Sequence, residues 1–336
     1  MEGKKEYVRL EKGDYDTSKS IIHVDARGDY LLNKPSQGIT TAAFVNVDDL
    51  PSGWELAMLP AWDYGARFGT HYDPTDDTPK SKEGTITIKV ANPFNEPRIH
   101  KNFPGGPTEL ESYRQEVVDG IHNHWIDPKA GKWTYTYNER LTDYNPSIDL
   151  NAENRGILLA KGVDQIEQVL NDLARDITSK GAQVITWMPT ADPGLESNRP
   201  CLQRLWFRPD QIDANDESKG YLLNLNSHWR SRDLGKAWFM NAFAITDWQK
   251  NIAERLQEKI GKPVRVGSYT DISDSLHIYG AYFKEMGPEF DKLRNDNLEK
   301  RVWNSDHPAF MMMTEEAREI LKKDPDYYAK GDAGKK

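Results

Sequence analysis

Apolar residues recur along this chain at two spacings. In residues 164–177, Ile166, Val169, Leu170, Leu173 and Ile177 fall three and four apart, which is one face of a helix. Residues 237–260 repeat the pattern with Ile245, Trp248, Ile252 and Leu256, and predict the longest helix. Thr108 and Glu111 have capping-box spacing, and Tyr113, Val117, Ile121 and Trp125 then come every four residues, so a helix is expected there with Glu116 beside its apolar face. Residues 288–302 and 315–322 are further helices. Alternation at a period of two predicts strands at 85–90, 133–137, 183–187, 203–208, 221–226, 264–269 and 277–279. The first 80 residues are polar and weakly periodic. They offer short strands at 21–24 and 42–47, a turn at Pro51-Ser52-Gly53 and a linker at 73–79.

Strands and helices interleave without a strict βαβ rhythm. The expected fold is therefore α+β, a mixed central sheet flanked by helices. The organisation expected is an extension of unknown role over 1–84, one catalytic domain over 85–325, and a disordered tail over 326–336. Residues 210–220 read as an exposed insertion loop.

Composition narrows the function. A net charge of −9 argues against a nucleic-acid coat or a membrane-surface protein, while leaving room for a local phosphate pocket. One cysteine excludes a disulfide framework and a cysteine-rich zinc site, and fits a cytoplasmic location. No apolar run is long enough to span a membrane, and the start lacks the apolar core of a secretory signal. Ten Trp and fifteen Tyr suit a well-packed globule or aromatic walls around a flat ligand.

That single cysteine sits in Arg199-Pro200-Cys201-Leu202-Gln203-Arg204. A lone cysteine is as readily a small buried hydrophobe. Here cations flank it on both sides, and a nearby cation favours the nucleophilic thiolate. More charge and hydroxyl donors come at Ser227-His228-Trp229-Arg230-Ser231-Arg232-Asp233.

Three clusters line up: Pro200-Cys201, then Arg230-Ser231-x-Asp233 with Asn241 eleven residues after the arginine, then His277-Ile278-Tyr279. With Trp133-Thr134-Tyr135-Thr136-Tyr137-Asn138-Glu139-Arg140-Leu141, Asp164-Gln165-Ile166, Ile185-Thr186-Trp187-Met188-Pro189 and Phe239-Met240-Asn241, they make the chain resemble the thymidylate synthase family over roughly residues 85–300. That family includes the pyrimidine-nucleotide hydroxymethylases, and the wording is closest to its archaeal-type branch. The resemblance implies that Cys201 adds to carbon 6 of a uracil ring, so that carbon 5 can attack a one-carbon unit on 5,10-methylenetetrahydrofolate.

The other roles come from the same resemblance. Arg230 holds the nucleotide phosphate and keeps the thiolate charged, and Ser231 donates to the phosphate. Asp233 contacts folate, though a charge at the start of the next helix is also favourable with the helix dipole. Asn241 reads the base: a carboxamide can donate to uracil O4 and accept from N3–H, whereas cytosine would suit an aspartate. His277 and Tyr279 bind the sugar hydroxyl. Glu116 is the expected general base, with Glu109 and Glu111 less well placed, and Tyr137 stands near the reacting centre. Gln203 and Lys180 join the substrate set. The resemblance further implies a homodimer packed sheet to sheet, and no metal.

The chain departs from the family pattern in three places. Lys180 and Gly181 stand where the family has an arginine pair that reaches the other subunit's phosphate; lysine keeps a charge but loses the bidentate fork. Leu202 comes after the cysteine where many members have histidine. The sequence Asp332-Ala333-Gly334-Lys335-Lys336 lacks the short apolar end that closes over folate and excludes water. The expected reaction is dUMP to dTMP with dihydrofolate as co-product. A hydroxymethylase, in which water replaces hydride, and a non-catalytic nucleotide-binding relative are the alternatives.

Overall fold

A computed structural model describes residues 21–24, 30–32, 41–70, 75, 77–130, 132–145, 162–195, 199–295 and 297–329. Part of the expected linker at 73–79 and the tail beyond residue 329 lie outside them.

In chain order the strands are β1 (Ile21–Val24), β2 (Tyr30–Leu32), β3 (Thr41–Val47), β4 (Ala66–Phe68), β5 (Ser81–Val90), β6 (Ile99–His100), β7 (Gln183–Ile185), β8 (Leu202–Gln211), β9 (Tyr221–Trp229), β10 (Arg232–Asp233), β11 (Val264–Ile278) and β12 (Val302–Trp303). The helices are α1 (Leu50–Tyr64), α2 (Gly106–Asp119), α3 (Tyr137–Thr142), α4 (Gln165–Arg175), α5 (Trp238–Ile260), α6 (Phe283–Asn295) and α7 (Pro308–Lys323). They fall into two compact units. The first takes Met1–Pro104, Trp229–Phe239 and Tyr269–Ser305; the second takes Gly105–His228, Met240–Ser268 and Asp306–Lys336.

The first unit carries a mixed sheet in the order β2-β1-β3-β5-β11. β3 runs parallel to β1 and β5, and β5 runs antiparallel to β11. β4 pairs with the start of β5, and β10 pairs parallel with the end of β11. The expected strands at 264–269 and 277–279 are one strand, β11, with its register shifted between Ser273 and Leu276. The extra residues of such a bulge bend the strand and re-aim the side chains beyond it, here His277. β5 starts at Ser81, and its neighbour β3 comes from the stretch read as an extension.

α1 corrects the turn expected at Pro51-Ser52-Gly53. Asp49 caps it by accepting from the Ser52 backbone N–H at 2.8 Å, and Pro51 sits in the first turn, where its missing N–H is harmless. The helix packs on β3 and β5 and buries residues on every side, including Leu50, Trp54, Glu55, Ala57, Met58 and Ala61. A helix buried all round has no polar stripe to give it away. The helix expected at 288–302 is α6, which starts at Phe283 and contains Pro288.

In the second unit the strand order is β11-β9-β8-β7, with β7 and β8 antiparallel. α4 keeps to its predicted stripe: Ile166, Val169, Leu170 and Leu173 are buried, and Asp164 caps it by accepting from the Glu167 N–H. The span read as one helical face from Tyr113 to Trp125 breaks at Gly120. That residue adopts φ 69°, the left-handed conformation that closes helices and favours glycine, so Ile121 and Trp125 lie beyond α2. Thr108 lies inside α2 and caps nothing.

The strand expected at 133–137 also gives way. Trp133 makes an isolated bridge with Ile126, and Thr136 caps α3 by accepting from the Glu139 N–H at 3.0 Å. The capping spacing of Thr136 and Glu139 outweighs the alternation before it. Among the described residues no helix is long and apolar enough to cross a membrane.

Candidate active site

Cys201 sits half-buried at the head of β8 in the second unit. Its backbone N–H and that of Leu202 both donate to the Tyr137 hydroxyl oxygen, each at 3.3 Å. Tyr137 is itself paired with Tyr135, and burial pushes both phenols far up, so both stay protonated near neutrality. Two backbone donors on one phenol fix the turn that presents the sulfur. Gln203 folds back so that Nε2 donates to the Pro200 carbonyl at 2.9 Å, closing the same turn. Arg199 donates to the Leu195 carbonyl at 2.6 Å, and Arg204 is exposed on β8.

The strings that carry the family resemblance interlock behind this cysteine. Arg140 is buried and donates to Asp192 at 2.8 Å and to the Thr186 carbonyl at 2.8 Å. Asp192 also accepts from the Met188 N–H at 2.6 Å. Gln165 donates to the carbonyls of Arg140 and Ile185 and accepts from the Ile185 N–H. Thr186 donates its hydroxyl to the Leu202 carbonyl. Four separated stretches of sequence thus make one polar scaffold around the strand that follows Cys201.

Beside the scaffold lies Glu139, whose Oε2 is buried without a hydrogen-bond partner, 3.6 Å from Arg140 Nε. Burial raises its carboxyl from 4.5 to about 7, even against the Arg140 charge. A raised carboxyl stabilises the fold fully below the unfolded value, and that contribution is lost as pH rises through the folded one. The window here runs from about 4.5 to about 7. Glu139→Gln is neutral throughout, so it is expected to match the parent at pH 4 and to exceed it by about 1–3 kcal/mol at pH 8. Thermal unfolding over a pH series measures this; an equal difference at both ends would exclude it.

Asn241 lies on α5 and is buried. Its Nδ2 donates to the Tyr113 hydroxyl on α2 at 2.5 Å. Trp248, two turns on, donates to the Val117 carbonyl at 2.9 Å, so α2 and α5 are joined at two levels. Tyr113, which the sequence presents only as part of an apolar stripe, is thus a partner of a candidate site residue. Glu116 is bound elsewhere: its Oε2 lies 2.8 Å from His122 Nδ1, and His122 stacks on Trp125 and reaches the Pro325 carbonyl. Glu111 is buried in ion pairs with Arg114 and Arg318, and Glu109 is exposed. Lys180 is exposed, its carbonyl accepting from Trp206 Nε1. Asp326, in the expected tail, bonds to both His124 and Trp125.

The first unit holds Arg230, Ser231, Asp233, His277 and Tyr279. Arg230 and Ser231 are half-buried. Between them and Asp233 stands Arg232, buried, paired with Asp271 and stacked 3.8 Å over Trp229. Asp271 also accepts from Tyr269 and Ser273. No local pattern signals this anchor, because its acid lies on a different strand.

Asp233 accepts from the backbone N–H groups of Gly235 and Lys236 at 2.8 and 3.2 Å, and burial lifts its carboxyl to about 6. His277 is buried, and burial lowers it to about 4, so the ring is neutral at pH 7. Its Nδ1 faces the Ser275 carbonyl at 3.2 Å, which places the ring proton there. Nε2 is then an acceptor, and it is buried without a partner. Such a group calls for a donor from an ordered water or a ligand. Tyr279 lies beyond the end of β11 and keeps ring contact with His277 at 4.6 Å.

Comparison with known proteins places the chain in a family. The thymidylate synthase family model matches residues 103–316, and the chain belongs to the thymidylate synthase family. It is an enzyme of the thymidylate synthase-type transferase class. A Methanosarcina mazei protein described as "Putative thymidylate synthase" is 26% identical over 194 residues, covering 58% of this chain and 71% of the relative. A Methanothermobacter marburgensis protein of the same description is 26% identical over 252 residues, covering 72% of this chain and 95% of the relative. The solved structure of the thermostable thymidylate synthase A from Bacillus subtilis aligns with a TM-score of 0.49 at 15% identity, over 77% of this chain and 96% of that one.

Proposed function

We propose that this enzyme transfers the one-carbon unit of 5,10-methylenetetrahydrofolate to carbon 5 of dUMP, giving dTMP and dihydrofolate. The observation that carries the reading is Cys201: a half-buried thiol at a strand end, its backbone N–H bonded to a neutral phenol, within the stretch that the family model matches.

The Cys201 thiolate adds to carbon 6 of the pyrimidine and leaves when the product forms. Tyr137, neutral and held on the cysteine turn, shapes the approach to the sulfur. Asn241 presents its carboxamide to the uracil edge, and its Nδ2 bond to Tyr113 sets the orientation of that carboxamide. His277 Nε2 accepts from a sugar hydroxyl, which supplies the donor its buried lone pair lacks, and Tyr279 works beside it. Arg230 and Ser231 take the phosphate, and Asp233 takes the folate. Glu116, held by His122, is assigned the removal of the carbon-5 proton. Gln203 keeps its amide oxygen for the nucleotide while its nitrogen shapes the turn. Lys180 is assigned to phosphate from a second subunit.

We assign the catalytic part to residues 85–325 and the working state to a cytoplasmic homodimer. The outward face of the second unit's sheet supports the dimer, for it exposes Ile185 and Leu222.

The test incubates the protein with dUMP or dCMP and methylenetetrahydrofolate, and reads the nucleotide by mass spectrometry. A methyl product from dUMP, with dihydrofolate absorbance rising in step, is the expected result. A hydroxymethyl product without dihydrofolate assigns water as the final nucleophile and overturns the synthase reading. No product from either nucleotide overturns both.

A further inference from the structure

We infer that Trp54, on the α1 helix of the stretch whose role the sequence left open, is a positioning residue for the Asp233 loop and thereby for folate. This rests on the assignment of Asp233 to folate.

The loop that carries Asp233 is short and is held at Leu234 by two backbone bonds. The Leu234 N–H donates to the His277 carbonyl at 2.8 Å. The Leu234 carbonyl accepts from the Trp54 indole N–H at 2.7 Å, with both residues buried. An indole nitrogen can only donate, so the direction of this bond is unambiguous. Without it the carbonyl next to Asp233 would be left buried and unsatisfied.

Trp54 cannot drift, because α1 is pinned on both sides of it. Gly53 lets the helix approach so closely that a Cβ there would meet Ile88 at 3.3 Å and Trp238 at 3.4 Å. Glu55, the next residue, is clamped by Arg301 at 2.6 and 2.9 Å and by His100 at 2.7 Å. The His100 ring is oriented in turn, since its Nδ1 accepts from the Asn102 N–H at 3.1 Å and its Nε2 must carry the proton. The indole packs edge-on against His100 at 4.6 Å and tilted against Phe239 at 5.8 Å. The helix therefore delivers one N–H to one carbonyl in a fixed direction.

The geometry also says which ligand should feel the loss. Arg230 lies upstream of Arg232, whose buried pairing with Asp271 holds that end of the loop independently. Asp233 lies downstream of that anchor and directly before Leu234. Loosening Leu234 should therefore move the folate contact and spare the phosphate contacts.

The test uses Trp54→Phe in the full-length protein, which keeps an aromatic ring and loses the N–H. The expected result is a rise of about tenfold in KM for methylenetetrahydrofolate, with the Kd for dUMP, read by calorimetry, within about twofold of the parent. Trp54→Leu, which also lacks a donor, measured in parallel, should do the same and serves alone if the phenylalanine variant does not fold. An unchanged folate KM in a folded variant overturns the inference. So does a rise in folate KM and dUMP Kd together, which a merely structural role would give, and so does failure of both variants to fold. Asp233→Ala is the control on the folate assignment: if it leaves folate KM unchanged, the assignment of Asp233 is what has failed.

Discussion

Cys201→Ser is expected to reduce turnover by at least about 10³-fold while leaving the fold and nucleotide binding in place. A hydroxyl at neutral pH is a far weaker nucleophile than a thiolate, and no other step can replace addition at carbon 6. The exchange of sulfur for oxygen touches little packing, because Cys201 is only half-buried. The backbone N–H that Tyr137 receives belongs to the main chain and survives the change. Steady-state kinetics, circular dichroism and calorimetric titration with dUMP together measure the outcome. Near-parental turnover in the serine variant would remove the nucleophile assignment. Loss of nucleotide binding without loss of fold would instead make the thiol a binding contact.

Asp192→Ala is expected to give the largest loss of stability, about 3–5 kcal/mol, because it strands a buried guanidinium. Arg140 and Asp192 are both almost fully removed from solvent. Removing the acid also takes the acceptor from the Met188 N–H. A loss of that size is a large part of the total stability of an ordinary domain. Replacing both partners, as Arg140→Met with Asp192→Leu, should recover much of it, since the penalty comes from the unpaired charge. Denaturant midpoints for the single and double variants check this. A single variant within about 1 kcal/mol of the parent would mean that water already reaches the pair.

Much of this architecture is legible in the sequence. The stripe of α4 and that of α5 name their buried faces because each helix has one side in the core and one in water. The reverse holds for α1, which is surrounded, so its Pro and Gly residues read as breakers. Alternation misled at residues 133–137, where the side-chain cap of Thr136 decides the conformation.

Among the candidate residues, Cys201 and Asn241 of the second unit and Asp233 and His277 of the first stand out through spaced motifs. The motif strings of the second unit are spaced as they are because they touch one another: Arg140, Asp192, Gln165 and Thr186 are contacts of one scaffold. Tyr113, Trp54 and the Arg232–Asp271 pair were invisible, since each acts on a partner far away in sequence and leaves no local pattern. Glu116 looked well placed on a helical wheel, but the wheel could not show that Gly120 turns the chain and brings His122 back onto it.

The first unit is assembled from three stretches of chain, the last ending at Ser305. A nascent polypeptide halted at residue 228 would already contain β1 to β6 and α1, yet β5 would lack its β11 neighbour. This unit cannot close until most of the protein has left the ribosome, and such non-local closure is slow. Until then the open flank of β5 is exposed to wrong partners, so expression at lower temperature or with chaperones should raise the soluble yield.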